Sequence, residues 1–274
     1  MLTTDFVPGS PCWVDLGAAD VAAATAFYTA VFDWEAEQFG PEEGGYLVLR
    51  LGGKPIGAIG RLTEEGARSA WMTYFTTADA DATAQAVLKA GGSLRGEPFD
   101  ADGAGRIAQL TDPQGGQFAV WQPGTMQGME VTDTPGALCW VELYTTDAAG
   151  AKAFYGSVLG WQAGDMPMPG GDEGSYTILT PAGLPTDRMH GGLLQLPAEH
   201  LALTGGRPYW HPVFQSADCD ASIAKVTANG GTLQMGPADV PGVGRLAVCV
   251  DPAGADFVLL TPSAPGTATT PGQA

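Results

Sequence analysis

The chain has 274 residues, 45% of them hydrophobic, enough to bury cores in about two domains. Thirty acidic residues against twelve basic ones leave a net charge of −18, which excludes phosphate-backbone binding built on Lys and Arg and disfavours an anionic membrane surface. No apolar run approaches the roughly 18 residues of a membrane-spanning helix, and the opening MLTTDFVPGSP lacks the basic and apolar regions of a secretion signal.

Residues 12–35, CWVDLGAADVAAATAFYTAVFDWE, read as a strand that ends at Asp20, an N-cap for the helix that follows. Ala24, Phe27, Tyr28 and Val31 then fall on one helical face. YLVLRLGG (46–53) and PIGAIGRL (55–62) fit a hairpin. MTYFTTAD begins a second unit, with Asp79 as cap and Ala82, Ala86 and Leu88 carrying the helix to a stop at Gly91-Gly92. RIAQLTDPQGGQFAVWQ fits another hairpin around Asp-Pro-Gln-Gly. QPGTMQGMEVTDTPG is a linker by composition.

The pattern then restarts. Residues 139–162, CWVELYTTDAAGAKAFYGSVLGWQ, match 12–35 at twelve of 24 positions, with Asp147 as the cap. FQSADCD (214–220) echoes FTTADAD (75–81), with Asp218 as cap and Ile223 and Val226 running to Gly230-Gly231. GRLAVCVDPAGADFVLLTP (244–262) echoes GRIAQLTDPQGGQFAVWQP (105–123). The offset grows from 127 to 139 residues, so the second copy carries an insertion between 163 and 209, expected in GDMPMPGGDEGS. A period above 100 residues means duplicated domains rather than a solenoid. Four modules follow: 11–62, 71–122, 137–196 and 209–262. The expected division is a domain over 1–124, a linker over 125–136, a second domain over 137–262 and a disordered tail over 263–274. Cys12, Cys139, Cys219 and Cys249 form no CxxC pair and no metal-spaced cluster, which fits reduced thiols in a cytoplasm.

The D…A.AFY…V..W run after each opening strand, together with the DP.G…F turn near each domain's end, resembles the vicinal oxygen chelate superfamily of glyoxalases, bleomycin-resistance proteins and extradiol dioxygenases. Within it the chain looks most like two-domain bacterial proteins labelled glyoxalase-like or hydroxylase. The resemblance covers about residues 11–262 and implies an α+β fold. Four βαβββ modules would pair into two domains, each a cup-shaped mixed sheet with flanking helices. In the family a divalent metal sits in the cup. The first-strand ligand positions correspond here to Trp13, Met72, Trp140 and His211, and the last-strand positions to Ala119 and Val258. Indole, thioether and alkyl groups offer a hard cation nothing, so the expectation is no metal. The alternative is a remnant site at His190, His211 and Glu142.

Strand side chains alternate between faces. The indoles of Trp13 and Trp140 therefore aim into the cups, either as plugs or as platforms for a flat guest. Asp15 and Glu142 share their faces. Each is either a proton-transfer group with a pKa raised by burial or an acid paired by a neighbour, Arg106 and Arg245 being the expected partners. The N-terminal cup would be lined by Trp13, Met72, Tyr74 and Trp121, and the C-terminal one by Trp140, Glu142, Tyr144, His211 and Gln215. Met166, Met168 and Met189 would form a lid or pack a loop.

Three functions fit. One is a binding protein for a small apolar or aromatic metabolite or drug. Another is an enzyme doing acid–base lyase, isomerase or hydroxylation chemistry through Glu142 or Asp15, assisted by His211 or Tyr144. The last is a structural role with filled cups. Small-molecule partners, a monomer or homodimer, and no nucleic acid or membrane are expected.

Overall fold

The computed structural model describes residues 2–40, 45–62, 64, 66–168 and 174–263. All but Ser263 of the expected tail, and 169–173 of the expected insertion, lie outside the described residues.

The N-terminal domain runs β1 (Pro11–Ala18), α1 (Val21–Phe32), β2 (Glu35–Gln38), β3 (Leu47–Leu51), β4 (Lys54–Arg61), then β5 (Ala70–Thr76), α2 (Ala80–Lys89), β6 (Ser93–Leu94), β7 (Phe99–Asp100), β8 (Gly105–Thr111) and β9 (Gln117–Pro123). The C-terminal domain repeats it with β10 (Leu138–Thr145), α3 (Ala148–Leu159), β11 (Trp161–Pro167), β12 (Ser175–Pro181), β13 (Gly191–Gln195), β14 (Tyr209–Gln215), α4 (Cys219–Ala228), β15 (Thr232–Val240), β16 (Gly244–Val250) and β17 (Asp256–Pro262). The sheet orders are β2-β3-β4-β1-β5-β9-β8-β6, with β7 beside β8, and β11-β12-β13-β10-β14-β17-β16-β15. Each is a mixed, cup-shaped sheet. β1 runs parallel to β4 and antiparallel to β5, and β10 does the same with β13 and β14, so each cup joins two sister modules at their first strands.

Local chemistry sets the helix starts. Asp20, Asp79, Asp147 and Asp218 each accept the amide of the residue three positions on, at 2.9–3.0 Å. The ends differ: α1 closes on Asp33 and α3 on Gly160, both left-handed, and Gly91 and Gly230 turn the chain just after α2 and α4. The expected face of α2 is corrected. It buries Ala80, Thr83, Ala84 and Val87, while Leu88 faces solvent. Thr83 tolerates the interior because its hydroxyl bonds to Asp79 O and to Thr77 Oγ1.

The insertion is also corrected, because it is spread over three connections. The offset is 127 at Trp34/Trp161, 130 at Tyr46/Tyr176, 134 at Gly57/Gly191 and 139 at Trp71/Trp210, pairs that occupy matching places in the two sheets. The β11–β12 hairpin, the β12–β13 connection and the two 3-10 turns before β14 each take a share.

The two domains share one core. Tyr28 on α1 receives the Trp71 indole N–H at 3.0 Å and donates to Asp251 of the other domain at 3.2 Å. Tyr155 on α3 receives Trp210 and donates to Asp112, each at 2.9 Å. Each acid also accepts two backbone amides of its own turn. Trp34 donates to Gly136 O at the end of the linker, and Trp161 to Gly9 O of the other domain. The Tyr and Trp of the repeated run and the Asp of the DP.G turn are thus cross-domain fasteners, buried and hydrogen-bonded in pairs.

Candidate functional site

β1 alternates between its two faces. Val14, Leu16 and Ala18 are buried on the helix side, and Trp13 and Asp15 face the cup. The Trp13 indole donates to Tyr46 Oη at 3.3 Å, and Tyr46 and Tyr74 donate to Asp15 Oδ2 at 3.5 and 2.8 Å. Trp13 is 3% exposed, and Tyr74 and Trp121 are as deeply buried. Trp121 donates to Met126 O in the linker. These side chains belong to the main core, against which Phe6, Met72, Ile107 and Met126 also pack. In the N-terminal cup Trp13, Tyr74 and Trp121 are buried, while Asp15 and Met72 stay part-exposed.

The C-terminal cup repeats the scaffold with different contents. Trp140 donates to Tyr176 Oη at 2.9 Å, and the Tyr176 phenol lies beside Glu142, where it favours the charged carboxylate. The same chain of indole, phenol and carboxylate therefore exists in both domains. At the Met72 register, however, stands His211. Its Nε2 lies 3.1 Å from Glu142 Oε2 and its Nδ1 lies 2.9 Å from Asp256 Oδ2. Tyr144 lies near enough to favour the charged form of Glu142, and the rings of Tyr144 and Tyr209 meet the imidazole edge-on at 4.5 and 5.6 Å. His211 is fully buried, while 15% of the Glu142 side chain and part of Trp140 stay exposed. Val213, Val248, Val258 and Cys139 form a small apolar cluster apart from the main core, with Trp140, Leu246 and Leu260 half-buried on it. Gln215 shares the His211 face at the far end of β14 and is half-buried.

The two acids are tuned in opposite directions. Burial lifts Asp15 to about 6, against its tyrosine donors. Burial also opposes the charged form of Glu142, but the hydrogen bond and charge of His211 outweigh it, and its pKa falls below the usual value. For His211 burial favours the neutral ring, yet Asp256 and Glu142 together raise it to about 9. At neutral pH His211 is an imidazolium donating to both carboxylates.

Two expected partnerships fail. Arg106 pairs with Asp81 and Asp100, and Arg245 with Asp220 and Asp239, all at the surface. Their strand starts lie beside the first turns of α2 and α4, whose acids draw them outward. His190 does not join His211. It packs on Trp161, which contacts Trp210 on the opposite sheet face, and burial holds its pKa down at about 3. Met166 is exposed on β11, opposite Tyr176, and the hairpin tip beyond Met168 lies outside the described residues.

The residues present do not fit a divalent cation. Both His211 nitrogens are engaged, so the carboxylates flank the ring instead of converging with it on one point. Among the described residues no three His, Cys, Asp or Glu side chains converge.

Sequence reasoning missed Tyr46, Tyr176 and Tyr209, and gave Asp256 no role. Tyr46 and Tyr176 sit at no constant offset in the repeat. Their position emerges only from the register of β3 on β4 and of β12 on β13.

The family model for the Glyoxalase/Bleomycin resistance protein/Dioxygenase superfamily matches residues 12–120 and again 137–259. The anthracycline biosynthesis protein DnrV of Streptomyces peucetius is 37% identical over 270 residues, covering 93% of this chain and 94% of that protein. The putative glyoxylase CFP32 of Mycobacterium bovis is 36% identical, covering 95% and 97%. The 2,3-dioxygenase LapB of Pseudomonas sp. KL28 superposes with a TM-score of 0.64 at 13% identity, over 94% of each chain. The Mn(II)-bound glyoxalase of Novosphingobium aromaticivorans gives 0.61 at 17%, over 95% of this chain and 89% of that one. A twofold family match, laid over two cup-shaped sheets of paired modules, makes this chain a member of the Glyoxalase/Bleomycin resistance protein/Dioxygenase superfamily.

Proposed function

We propose that the C-terminal cup binds a flat, largely apolar aromatic metabolite, and that the N-terminal cup is structural. One contrast carries this reading. Trp13 is sealed into the core, whereas its counterpart Trp140 is half-exposed beside an apolar wall and a charged Glu142–His211 pair. An indole face offers stacking to a ring system, and Val213, Val258 and Leu260 offer dispersion contact. Glu142, ionised and acceptor-only, orients a guest that carries a hydroxyl. The relatives named for anthracycline biosynthesis support a fused-ring guest. The test is quenching of tryptophan fluorescence by 1,8-dihydroxyanthraquinone. Saturable quenching that Trp140→Ala weakens at least about tenfold supports the site. Quenching that survives Trp140→Ala and disappears in Trp13→Phe removes it.

The Glu142–His211–Asp256 row favours a second reading, in which the bound aromatic is also turned over. Glu142 would take a proton from an acidic hydroxyl or C–H of the guest. His211, held charged between two carboxylates, would keep the emerging negative charge beside a cation. Glu142→Gln should then abolish turnover and spare binding. Unchanged turnover removes Glu142 from the chemistry.

A further inference from the structure

The N-terminal domain sends one side chain into the C-terminal cup's charged row. Arg68, just before β5, donates from Nη1 to Gly254 O at 2.6 Å and places Nη2 3.5 Å from Asp256 Oδ1. Nη1 also lies 3.4 Å from Ser69 O. Asp256 is 4% exposed and gives its other oxygen to His211 Nδ1. The row therefore runs unbroken across the domain boundary: guanidinium, Asp256, imidazolium, Glu142.

The repeat supplies an internal control. Arg207 stands at the matching place before β14 and packs its stem against Gly115, the counterpart of Gly254. Among the described residues its guanidinium bonds only to backbone, Nε donating to Thr204 O at 3.2 Å, and the place of Asp256 is taken by Gln117. Both domains thus send an arginine across to the opposite turn, but an acid meets it only where the partner strand carries an imidazolium.

We infer that Arg68 is a positioning residue for the C-terminal cup: it anchors one oxygen of Asp256, so that the other fixes the His211 ring and, through it, Glu142. This rests on the reading of that cup as the ligand site and makes the site a product of both domains. The bidentate reach of a guanidinium, to a carbonyl and a carboxylate at once, suits it to that task.

The experiment uses the full-length chain labelled with 15N-histidine. In R68M the His211 Nδ1 proton should exchange with solvent at least about tenfold faster, its ring 15N shifts should move, and the anthraquinone should bind several-fold more weakly. R68K should recover most of both. R68Q, which keeps a donor for Gly254 but no charge, should behave as R68M does and replaces it if R68M does not fold. R207M should leave the His211 signals in place. Unmoved His211 signals in R68M or R68Q would overturn the inference, whatever the anthraquinone does. Moved signals in a protein whose wild type binds no anthraquinone would uphold Arg68 and sink the ligand reading instead.

Discussion

Glu142 Oε2 lies 3.1 Å from His211 Nε2 across β10 and β14, at the register where Asp15 faces Met72 in the other domain. The histidine is one of several differences between the two cups, and it is the one that faces the acid. Where it stands, the acid is ionised and paired. Where it is missing, the acid is held by two phenols and its pKa rises to about 6.

The His211 pair makes stability depend on pH. The folded pKa of about 9 exceeds the unfolded value of 6.5, so the stabilisation is complete below 6.5 and is lost as pH rises through 9. The loss is on the order of 3 kcal/mol. Glu142 works in reverse: its folded pKa is lowered from 4.5, so its share is present above 4.5 and is lost as pH falls through the folded value. Urea unfolding between pH 7 and 8.5, above the Asp15 range and below that of the buried cysteines, should show the decline in the wild type and little of it in His211→Met. At pH 7 that variant should be about 3–5 kcal/mol less stable, because two buried carboxylates lose their partner.

Asp15 gives a slope of the opposite kind. Its folded pKa of about 6 lies above the ordinary 3.8, so the fold resists the charged form and loses stability as pH climbs from 4 to 6. Asp15→Asn should raise Tm at pH 7.5 and leave it nearly unchanged at pH 4. An equal shift at both pH values would mean that Asp15 ionises freely.

Much of this molecule is legible in the sequence. The four capping aspartates and the face of α1 depend on neighbours within one helical turn, and the duplication is plain in the repeated strand-and-helix run. What sequence reading misassigned depends on distant register. Arg106 and Arg245 fall at the expected strand starts, yet Asp81 and Asp220, each 25 residues earlier, claim them. That shared spacing is a signal that could have found the pairs. The inward aim of Trp13 and Trp140 follows from strand alternation. That Trp13 is buried and Trp140 part-exposed is set by tertiary packing, which no local pattern encodes. Arg68 reaches Asp256 across 188 positions of sequence, and only the assembled pair of domains reveals it.

The cross-domain fasteners should behave as a matched pair. Tyr28→Phe orphans the Trp71 N–H and one oxygen of Asp251, and Tyr155→Phe does the same to Trp210 and Asp112. Each should cost about 1–3 kcal/mol in urea unfolding, with a single transition retained because both domains share the core. Two separate transitions in either variant would show that the domains unfold independently.

The proposed ligand site in the C-terminal cup is tested most directly by crystals of the full-length chain grown with saturating 1,8-dihydroxyanthraquinone. The expected result is planar density stacked on Trp140, a hydroxyl turned to Glu142, and an undisturbed Trp13 in the other cup. Density that displaces Trp13 while the C-terminal cup stays empty, or an ordered ion between His211 and Glu142, would contradict it.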